Sequence, residues 1–359
     1  MLKKIKVVIA DDSAFFRQVL KTVLEESRKI VVVAAAKNGK EAVEFVKTLN
    51  PDILILDCDM PVMNGLDALK RVMDENPLPV LMFSALTQEG AKETLTALSL
   101  GAVDFLLKPA GHAHALDEVA EELIKKIETI VRQAKWRVSL PSVNRPKLSN
   151  GVETENVQVQ DRRPAVELRR RTVDLIAMGS STGGVQASTR VLMALPENTA
   201  PIVWVQHMPP EFTKNFAERL NGLCQMEVKE AKDGDLVKRG ICYLAPGGFQ
   251  MRLLKKGNDY CVSVKLGEKV SGQCPSCNVL FDSAAEYFGD NALGIILTGM
   301  GDDGASGLAK MHQKGAYVIG QNEKSCVVYG MPKAAYNLGA VDIELDIQEI
   351  SDAIIKAGG

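Results

Sequence analysis

Residues 6–16 read KVVIADDSAFF, and this stretch shows the pattern that decides the fold of the N-terminal part of the chain. Residues 6–10 form a short β-rich run, typical of parallel strands that are buried on both faces. Two acids end the run, and an amphipathic helical pattern begins directly after them. Similar runs with helical patterns between them stand at residues 30–34, 53–56, 80–83 and 103–107. Five strands alternating with five helices predict a five-stranded, doubly wound parallel α/β domain over residues 1–133.

The next 38 residues, 134–171, differ in composition from what precedes them. They contain three prolines and nine Lys and Arg against four Asp and Glu, a local net charge of +5. No helical or alternating period is visible in them. An unstructured stretch of this length is unusual inside a domain, so we interpret residues 134–171 as a basic linker.

A second α/β pattern follows and predicts another domain over residues 172–359. Between residues 235 and 266 polar and apolar residues alternate with interspersed glycines, which predicts antiparallel hairpins. We therefore expect a mostly parallel α/β sheet with added hairpins. Its strand-like runs are residues 173–178, 201–206, 293–297 and 317–319.

The composition of the whole chain excludes several classes of protein. Its 359 residues carry a net charge of −2, with 46% hydrophobic and 25% charged residues, as expected of two globular domains. Without a basic excess, we expect no nucleic-acid partner. The N-terminal apolar run is too short for a signal peptide or a membrane span, so we expect no membrane insertion. Seven scattered cysteines favour reduced thiols, and we expect a cytoplasmic monomer.

Polar side chains follow the predicted strands of the N-terminal domain, at the sheet edge where open α/β folds bind ligands. Three carboxylates that converge there need a cation, and Mg²⁺ with oxygen ligands meets that need. A lysine and a hydroxyl nearby would hold the oxygens of a phosphoryl group placed on a carboxylate. Capping of the first helix is the simpler explanation for Asp12 or Ser13 alone, but not for the whole set. The set is Asp11, Asp12, Asp57, Ser84 and Lys108.

With the tract MPVMNG at residues 60–65, these positions resemble the receiver domain of bacterial response regulators. The resemblance implies that Asp57 is the phosphoacceptor. It implies that Asp12 and Asp57 bind Mg²⁺ with the help of Asp11, and that Ser84 and Lys108 contact the phosphoryl group. Phe105 would occupy the aromatic switch position of the family.

The tract VDLIAMGSSTGG, residues 173–184, is a predicted strand that runs into a glycine-rich turn and then a helix. The spacing Gly179-x-Ser181-x-Gly183 is that of a nucleophilic serine on a sharp turn. The helix N-terminus that follows offers free N–H groups to a developing oxyanion. The turn could instead be a helix cap or a phosphate loop, although it lacks the lysine of a Walker loop.

A base and an acid stand at the ends of two further predicted strands. Among the four histidines, His207 ends a strand at the same edge as Ser181, where it could act as general base. The tract LTGMGDDG, residues 297–304, offers Asp302 or Asp303 to orient the imidazole, and spacing does not choose between them. Helix capping is the alternative for either acid. Ser, His and Asp at three strand ends predict nucleophilic acyl transfer, in a chain order unlike that of the α/β-hydrolases.

Three tracts carry a second resemblance, to the CheB family of chemotaxis methylesterases, which combines a receiver, a linker and a catalytic domain in this order. They are MGSSTGG at 178–184, QHMPP at 206–210 and LTGMGDDG at 297–304. The resemblance implies that Ser181 is the nucleophile and His207 the general base. It implies Asp303, rather than Asp302, as the orienting acid, and the backbone N–H of Met300 in the oxyanion hole.

The family resemblance also implies an activity and its regulation. The protein would be a serine esterase that hydrolyses the γ-methyl esters of glutamates on chemotaxis receptors and deamidates receptor glutamines. Methyl-accepting receptors would be its substrate and the histidine kinase CheA its phosphodonor. Mg²⁺ would serve the receiver only, with no cofactor for the esterase reaction. The unphosphorylated receiver would cover the active site until Asp57 is phosphorylated.

The tract QCPSCN, residues 273–278, departs from the family pattern. The family has a basic or aromatic residue in place of Cys274, and Val-Asp in place of Cys277 and Asn278. No second cysteine pair lies nearby, so we expect the two cysteines to open a helix rather than to bind zinc. Two other functions remain as alternatives, an anion-binding module and a transcriptional regulator. The second would need a basic recognition helix, which the sequence lacks.

Overall fold

A computed structural model describes residues 3–85, 87–108, 113–133 and 173–358 of the chain. The predicted linker at 134–171 lies outside these residues. Among the residues that the structure describes, none of the helices combines the length and apolar character needed to cross a lipid bilayer.

The N-terminal domain is a five-stranded parallel sheet with helices between the strands, as predicted. Its strands are β1 (Ile5–Ala10), β2 (Ile30–Ala36), β3 (Ile53–Asp57), β4 (Val80–Ser84) and β5 (Asp104–Leu107). Its helices are α1 (Ala14–Glu26), α2 (Gly39–Leu49), α3 (Gly65–Glu75), α4 (Gln88–Ser99) and α5 (Ala113–Gln133). In the strand order β2-β1-β3-β4-β5, β2 lies on one side of β1 and the later strands lie on the other. A crevice therefore opens between the carboxyl ends of β1 and β3.

Polar side chains at the helix starts explain where several of these helices begin. Ser13 accepts a hydrogen bond from the third residue of α1, and Asn38, Asn64 and Thr87 do the same for α2, α3 and α4. Each satisfies a backbone N–H that the helix itself leaves unpaired. Ser13 therefore caps the first helix, which is the alternative explanation given for it above. Asp12 does not cap the helix and lies exposed beside the strand ends.

The C-terminal domain contains a seven-stranded parallel sheet, which confirms the predicted fold class. In chain order the strands of the sheet are β6 (Leu175–Ser180), β7 (Ile202–Gln206), β8 (Glu227–Glu230), β9 (Ile241–Leu244), β12 (Ala292–Ile296), β13 (Tyr317–Gln321) and β14 (Ile343–Leu345). The helices are α6 (Gly184–Met193), α7 (Phe212–Asn221), α8 (Cys277–Tyr287), α9 (Ala305–Gln313), α10 (Met331–Asn337) and α11 (Ile347–Gly358). The strand order β14-β13-β12-β6-β7-β9-β8 places β6 between β12 and β7.

One antiparallel hairpin, β10 (Gln250–Lys256) with β11 (Asp259–Lys265), stands apart as a two-stranded sheet. The prediction of antiparallel hairpins over residues 235–266 is correct for β10 and β11, and Leu236 forms an isolated antiparallel bridge with Cys261 of β11. It is wrong for Ile241–Leu244, which pairs in parallel with β7 and β8. Three consecutive side chains of β9 are buried, as in an interior parallel strand, whereas β10 has exposed side chains toward its end. Gly257, with a φ of +64°, allows the tight turn between β10 and β11.

Apolar side chains from both domains form one continuous buried cluster. It includes Phe105 of β5 and Phe212 of α7, so the hydrophobic contact between the two domains is part of the core. The N-terminal domain thereby packs on the helices that flank the carboxyl edge of β6 and β7.

Candidate active site

The predicted phosphorylation site lies at the carboxyl ends of β1, β3 and β5. Asp11 and Asp57 are buried, and the Lys108 Nζ lies 2.8 Å from an Oδ2 of each. Asp12 is exposed, but its carboxylate comes within 4.8 Å of the other two. Ser84 ends β4 beside them with a buried hydroxyl, and its carbonyl accepts the Lys108 N–H at 2.7 Å. The five predicted positions therefore meet at one edge.

The charges of this edge are unbalanced. Burial raises the pKa of Asp57 to about 6, with a further contribution from Asp11, while the hydrogen bond and charge of Lys108 oppose the rise. Burial disfavours the Lys108 ammonium, but its contacts with Asp11 and Asp57 outweigh this and raise its pKa. Three carboxylates face one ammonium, and their oxygens are the ligands of a hard divalent cation. The residues present thus fit Mg²⁺.

Ser181 and His207 follow the adjacent strands β6 and β7, whose last residues, Ser180 and Gln206, are paired. The His207 N–H donates to the Ser180 carbonyl at 3.0 Å, and the Ser181 N–H donates to the Thr298 carbonyl at 3.0 Å. The second bond ties the serine turn to the loop that follows β12. The structure thus brings all three predicted strand ends together.

The sharp turn after Ser181 depends on glycine. Gly183 has a φ of +76°, in the left-handed region that favours glycine. A Cβ at this position would lie 2.5 Å from the Cβ of Val327. Any side chain here would therefore displace the loop that packs behind the serine turn.

The structure places Asp303, and not Asp302, against the imidazole. An Asp303 carboxylate oxygen lies 2.8 Å from Nε2 of His207, while Asp302 is exposed. Buried Asp303 also accepts hydrogen bonds from the Ser276 hydroxyl at 2.7 Å and the Cys277 N–H at 2.6 Å. Burial alone would raise the pKa of Asp303, but His207 and these donors outweigh it and lower that pKa. The carboxylate is therefore held ionised against the ring.

The contact with Asp303 determines which ring nitrogen of His207 can take a proton. Because Nε2 faces the carboxylate, Nδ1 is the nitrogen left to act as base. Nδ1 is buried and has no hydrogen-bond partner among the described residues. No hydrogen bond joins it to Ser181 in this structure, and catalytic hydrogen bonds often tighten only when substrate is bound.

Met300 lies in the turn between β12 and α9, next to the serine. A Cβ on the preceding Gly299 would lie 2.9 Å from the Ser181 Cβ, so this turn is packed directly against the serine. None of the hydrogen bonds among the described residues uses the Met300 N–H. Its side chain and that of Val327 pack against a buried cluster formed by apolar residues of the N-terminal domain and Val328.

The N-terminal domain contacts the serine turn itself. The Phe105 ring stacks on Phe212, with centroids 4.6 Å apart and an interplanar angle of 11°. The Thr182 hydroxyl, one residue after Ser181, donates to the Asp104 carboxylate at 2.6 Å in a buried contact. Asp104 also forms an ion pair with Lys126 of α5. The β5 edge of the N-terminal domain therefore packs against the turn that carries the predicted nucleophile.

Two groups of this site are not predicted by the sequence patterns. The first is the Ser276 hydroxyl with the N–H groups at the start of α8, which hold Asp303 by hydrogen bonds. The only signal for it in the sequence is a serine directly before the helix, a residue type common at helix caps. Asp104 contacts Thr182 across 78 residues of chain, and no local pattern points to that pairing.

Comparison with known proteins finds both parts of this arrangement together. Residues 7–120 match the response regulator receiver domain family, and residues 176–354 match the CheB methylesterase family. The protein-glutamate methylesterase/protein-glutamine glutaminase of Sulfurimonas denitrificans is 42% identical, over 98% of this chain and 97% of the relative. The chain belongs to the CheB methylesterase family.

Further CheB relatives agree with this membership. The protein-glutamate methylesterase/protein-glutamine glutaminase 3 of Shewanella oneidensis is 44% identical over 98% of both chains. The crystal structure of the CheB methylesterase catalytic domain from Thermotoga maritima aligns with a TM-score of 0.50 at 38% identity. It covers 52% of this chain and 98% of that one. The predicted CheB resemblance and the predicted fold class are confirmed.

Proposed function

We propose that this protein is a phosphorylation-regulated protein-glutamate methylesterase that also deamidates glutamine in chemotaxis receptors. The observation that carries the proposal is the buried Asp303 carboxylate bonded to His207, on the strand end next to Ser181. Methyl-accepting receptors are the proposed substrate, and the kinase CheA is the proposed phosphodonor. The family matches at residues 7–120 and 176–354 fall within the proposed domains 1–133 and 172–359, with 134–171 as linker.

The proposed reaction begins at Ser181. Nδ1 of His207 takes the hydroxyl proton while Oγ attacks the carbonyl carbon of the γ-methyl ester. The negative charge that develops on the carbonyl oxygen faces the Met300 N–H. The ionised Asp303 keeps the imidazole oriented and stabilises its charged form.

Collapse of the tetrahedral species then expels methanol, which takes the proton from His207. Water, activated by the same nitrogen, attacks the glutamyl-serine ester and releases glutamate and free Ser181. A glutamine amide passes through the same acyl-serine and releases ammonia instead of methanol. One site therefore accounts for both activities.

At the receiver edge, the Asp57 carboxylate is the proposed nucleophile toward a phosphoryl group. Mg²⁺, held by Asp12 and Asp57 with Asp11 beside them, would neutralise phosphoryl oxygens when bound. Lys108 and the Ser84 hydroxyl are the proposed contacts of the new phosphoryl group, which the ion pair of Lys108 with Asp57 supports.

The contact between the receiver and the serine turn offers a way for phosphorylation to regulate the esterase activity. In this arrangement the Phe105–Phe212 stack and the Asp104–Thr182 bond hold the receiver against the turn that carries Ser181. We propose that phosphorylation of Asp57 shifts the receiver toward a state that lacks these contacts. Such a switch needs only an interface with two arrangements that the phosphoryl group biases.

Asp57→Asn should leave basal methanol release intact and abolish its stimulation by a small-molecule phosphodonor, because the amide is not a nucleophile. Methanol release from methylated receptor membranes, with and without the phosphodonor, measures both. Asp67→Asn, at an exposed site in the first turn of α3, is the matched control and should keep full stimulation. Stimulation that persists in Asp57→Asn would contradict the assignment.

Phe105→Ala should raise basal methanol release without any phosphodonor. Loss of the stacked aromatic pair weakens the interface between the domains by about 1 kcal/mol, and the loss of buried apolar surface adds to this. Each 1.4 kcal/mol raises the fraction of molecules with an open interface about tenfold. We therefore expect a rise of roughly tenfold. Phe15→Ala, whose ring is 63% exposed on the receiver, is the control and should change nothing. An unchanged basal rate in folded Phe105→Ala would argue against a covered state.

A further inference from the structure

Cys277 adds a thiol to the His207–Asp303 pair. Its Sγ lies 3.7 Å from Nε2 of His207, and the same Nε2 lies 2.8 Å from Oδ2 of Asp303. The sulfur, the ring nitrogen and a carboxylate oxygen all come within 4.8 Å of one another. The thiol has no part in the acyl-transfer steps proposed above, so its position beside the base calls for a separate explanation.

We propose that His207, Cys277 and Asp303 form an inhibitory site for a thiophilic transition-metal ion such as Zn²⁺. Imidazole nitrogen, thiolate sulfur and carboxylate oxygen are all ligands of this ion. Tetrahedral bonds of about 2.0–2.3 Å place ligand atoms roughly 3.3–3.6 Å apart. The distances of 2.8 and 3.7 Å lie on either side of that range, so small side-chain movements are enough. Three protein ligands leave the fourth position to water.

The proposed site uses only one cysteine of the CxxC pair. Cys274 is not in the cluster, and its Sγ contacts the Gly267 carbonyl at 3.7 Å. The other two proposed metal ligands, His207 and Asp303, lie 70 and 26 residues from Cys277 in the chain. The proposed site therefore exists only in the folded protein.

Metal binding at these atoms would remove the base. The ion displaces the Nε2 proton, which the ring then carries on Nδ1, the buried nitrogen that no described residue bonds. The thiol proton is released to solvent. The two positive charges of the ion are then balanced by the Cys277 thiolate and the Asp303 carboxylate. With Nδ1 protonated, His207 has no lone pair for the Ser181 proton, so acyl transfer stops.

The two metal preferences of the chain are separable. The receiver cluster offers carboxylate oxygens only, which suit Mg²⁺, whereas a sulfur ligand selects softer ions. Mg²⁺ at concentrations that support phosphorylation should therefore not inhibit the esterase activity, whereas Zn²⁺ should inhibit it.

Titration of the full-length protein with Zn²⁺ alone, in buffer with Mg²⁺, tests the inhibition. Methanol release of the unsubstituted protein should fall and return after chelation and restoration of Mg²⁺. Cys277→Ser and Cys277→Ala, each normalised to its own metal-free rate, should need at least about tenfold more Zn²⁺. Cys274→Ala is the matched control and should be inhibited like the unsubstituted protein. Equal sensitivity of the Cys277 variants would overturn the proposal.

Inhibition of turnover rests on the proposed function, so metal binding is measured separately with Co²⁺ as a spectroscopic probe. A sulfur-to-cobalt charge-transfer band should form in the unsubstituted protein and in Cys274→Ala, and be absent from Cys277→Ala. Without this difference, the site is overturned even if the esterase is active. If methanol release is never detected, the proposed function fails while the cobalt spectra still decide the metal site.

Discussion

Ser181→Ala should lower methanol release from methylated receptors by at least about 10⁴-fold. The variant keeps the turn, the helix N-terminus and the Met300 N–H, but it has no oxygen with which to form the acyl-enzyme. What remains is the modest acceleration that binding and the oxyanion donors provide. The rate is best measured on the full-length protein activated by a phosphodonor, so that covering by the receiver does not mask the comparison.

The neighbouring serine provides the control for this experiment. The Ser180 hydroxyl is buried, donates to the Gln206 side chain at 2.7 Å and accepts the Trp204 indole N–H at 2.9 Å. Ser180→Ala leaves these groups unpaired and should lower the free energy of unfolding by about 1–3 kcal/mol. Its turnover should persist. Turnover that survives Ser181→Ala, or is lost only in Ser180→Ala, would show that the wrong serine was assigned.

Asp303→Asn should lower methanol release by about 10⁴-fold, as expected when a neutral amide replaces the carboxylate that orients a catalytic histidine. The amide cannot stabilise the charged imidazole. It can also turn an NH₂ toward Nε2 and favour the wrong ring tautomer. Initial rates across a range of pH, with thermal unfolding to confirm the fold, measure the effect.

Asp302→Asn is the matched comparison, because it makes the same chemical change one residue away. Asp302 is exposed, so the variant should stay within a few-fold of the unsubstituted rate and keep the same thermal stability. A severe loss in Asp302→Asn together with a mild one in Asp303→Asn would reverse the assignment of the orienting acid.

The elements of the N-terminal sheet were predictable from the sequence to within a residue or two at most boundaries. The run at 53–56 became Ile53–Asp57 and the run at 80–83 became Val80–Ser84. Parallel strands buried on both faces are continuous apolar runs, which are easily recognised. The strands within residues 235–266 were harder to predict, since glycines flank the buried strand β9 and the strands of the hairpin in a similar way. Only strand pairing separates them.

The candidate site was predictable in part, for a similar reason. Ser181 and His207 each follow a predicted strand, and the ends of adjacent parallel strands meet at one edge whatever the side chains are. The choice between Asp302 and Asp303 could not be made from spacing. It depends on the side chain that meets the Ser276 hydroxyl and the Cys277 N–H at the start of α8.

The sequence by itself determined which residues stand at strand ends, because local periodicity sets the strands and chain connectivity sets their direction. Only the tertiary structure decided how the two domains meet. The stacking of Phe105 on Phe212 and the bond from Thr182 to Asp104 join segments far apart in the chain. Such contacts arise from the complementary shapes and polar groups of two assembled surfaces, which no period or spacing along the chain encodes.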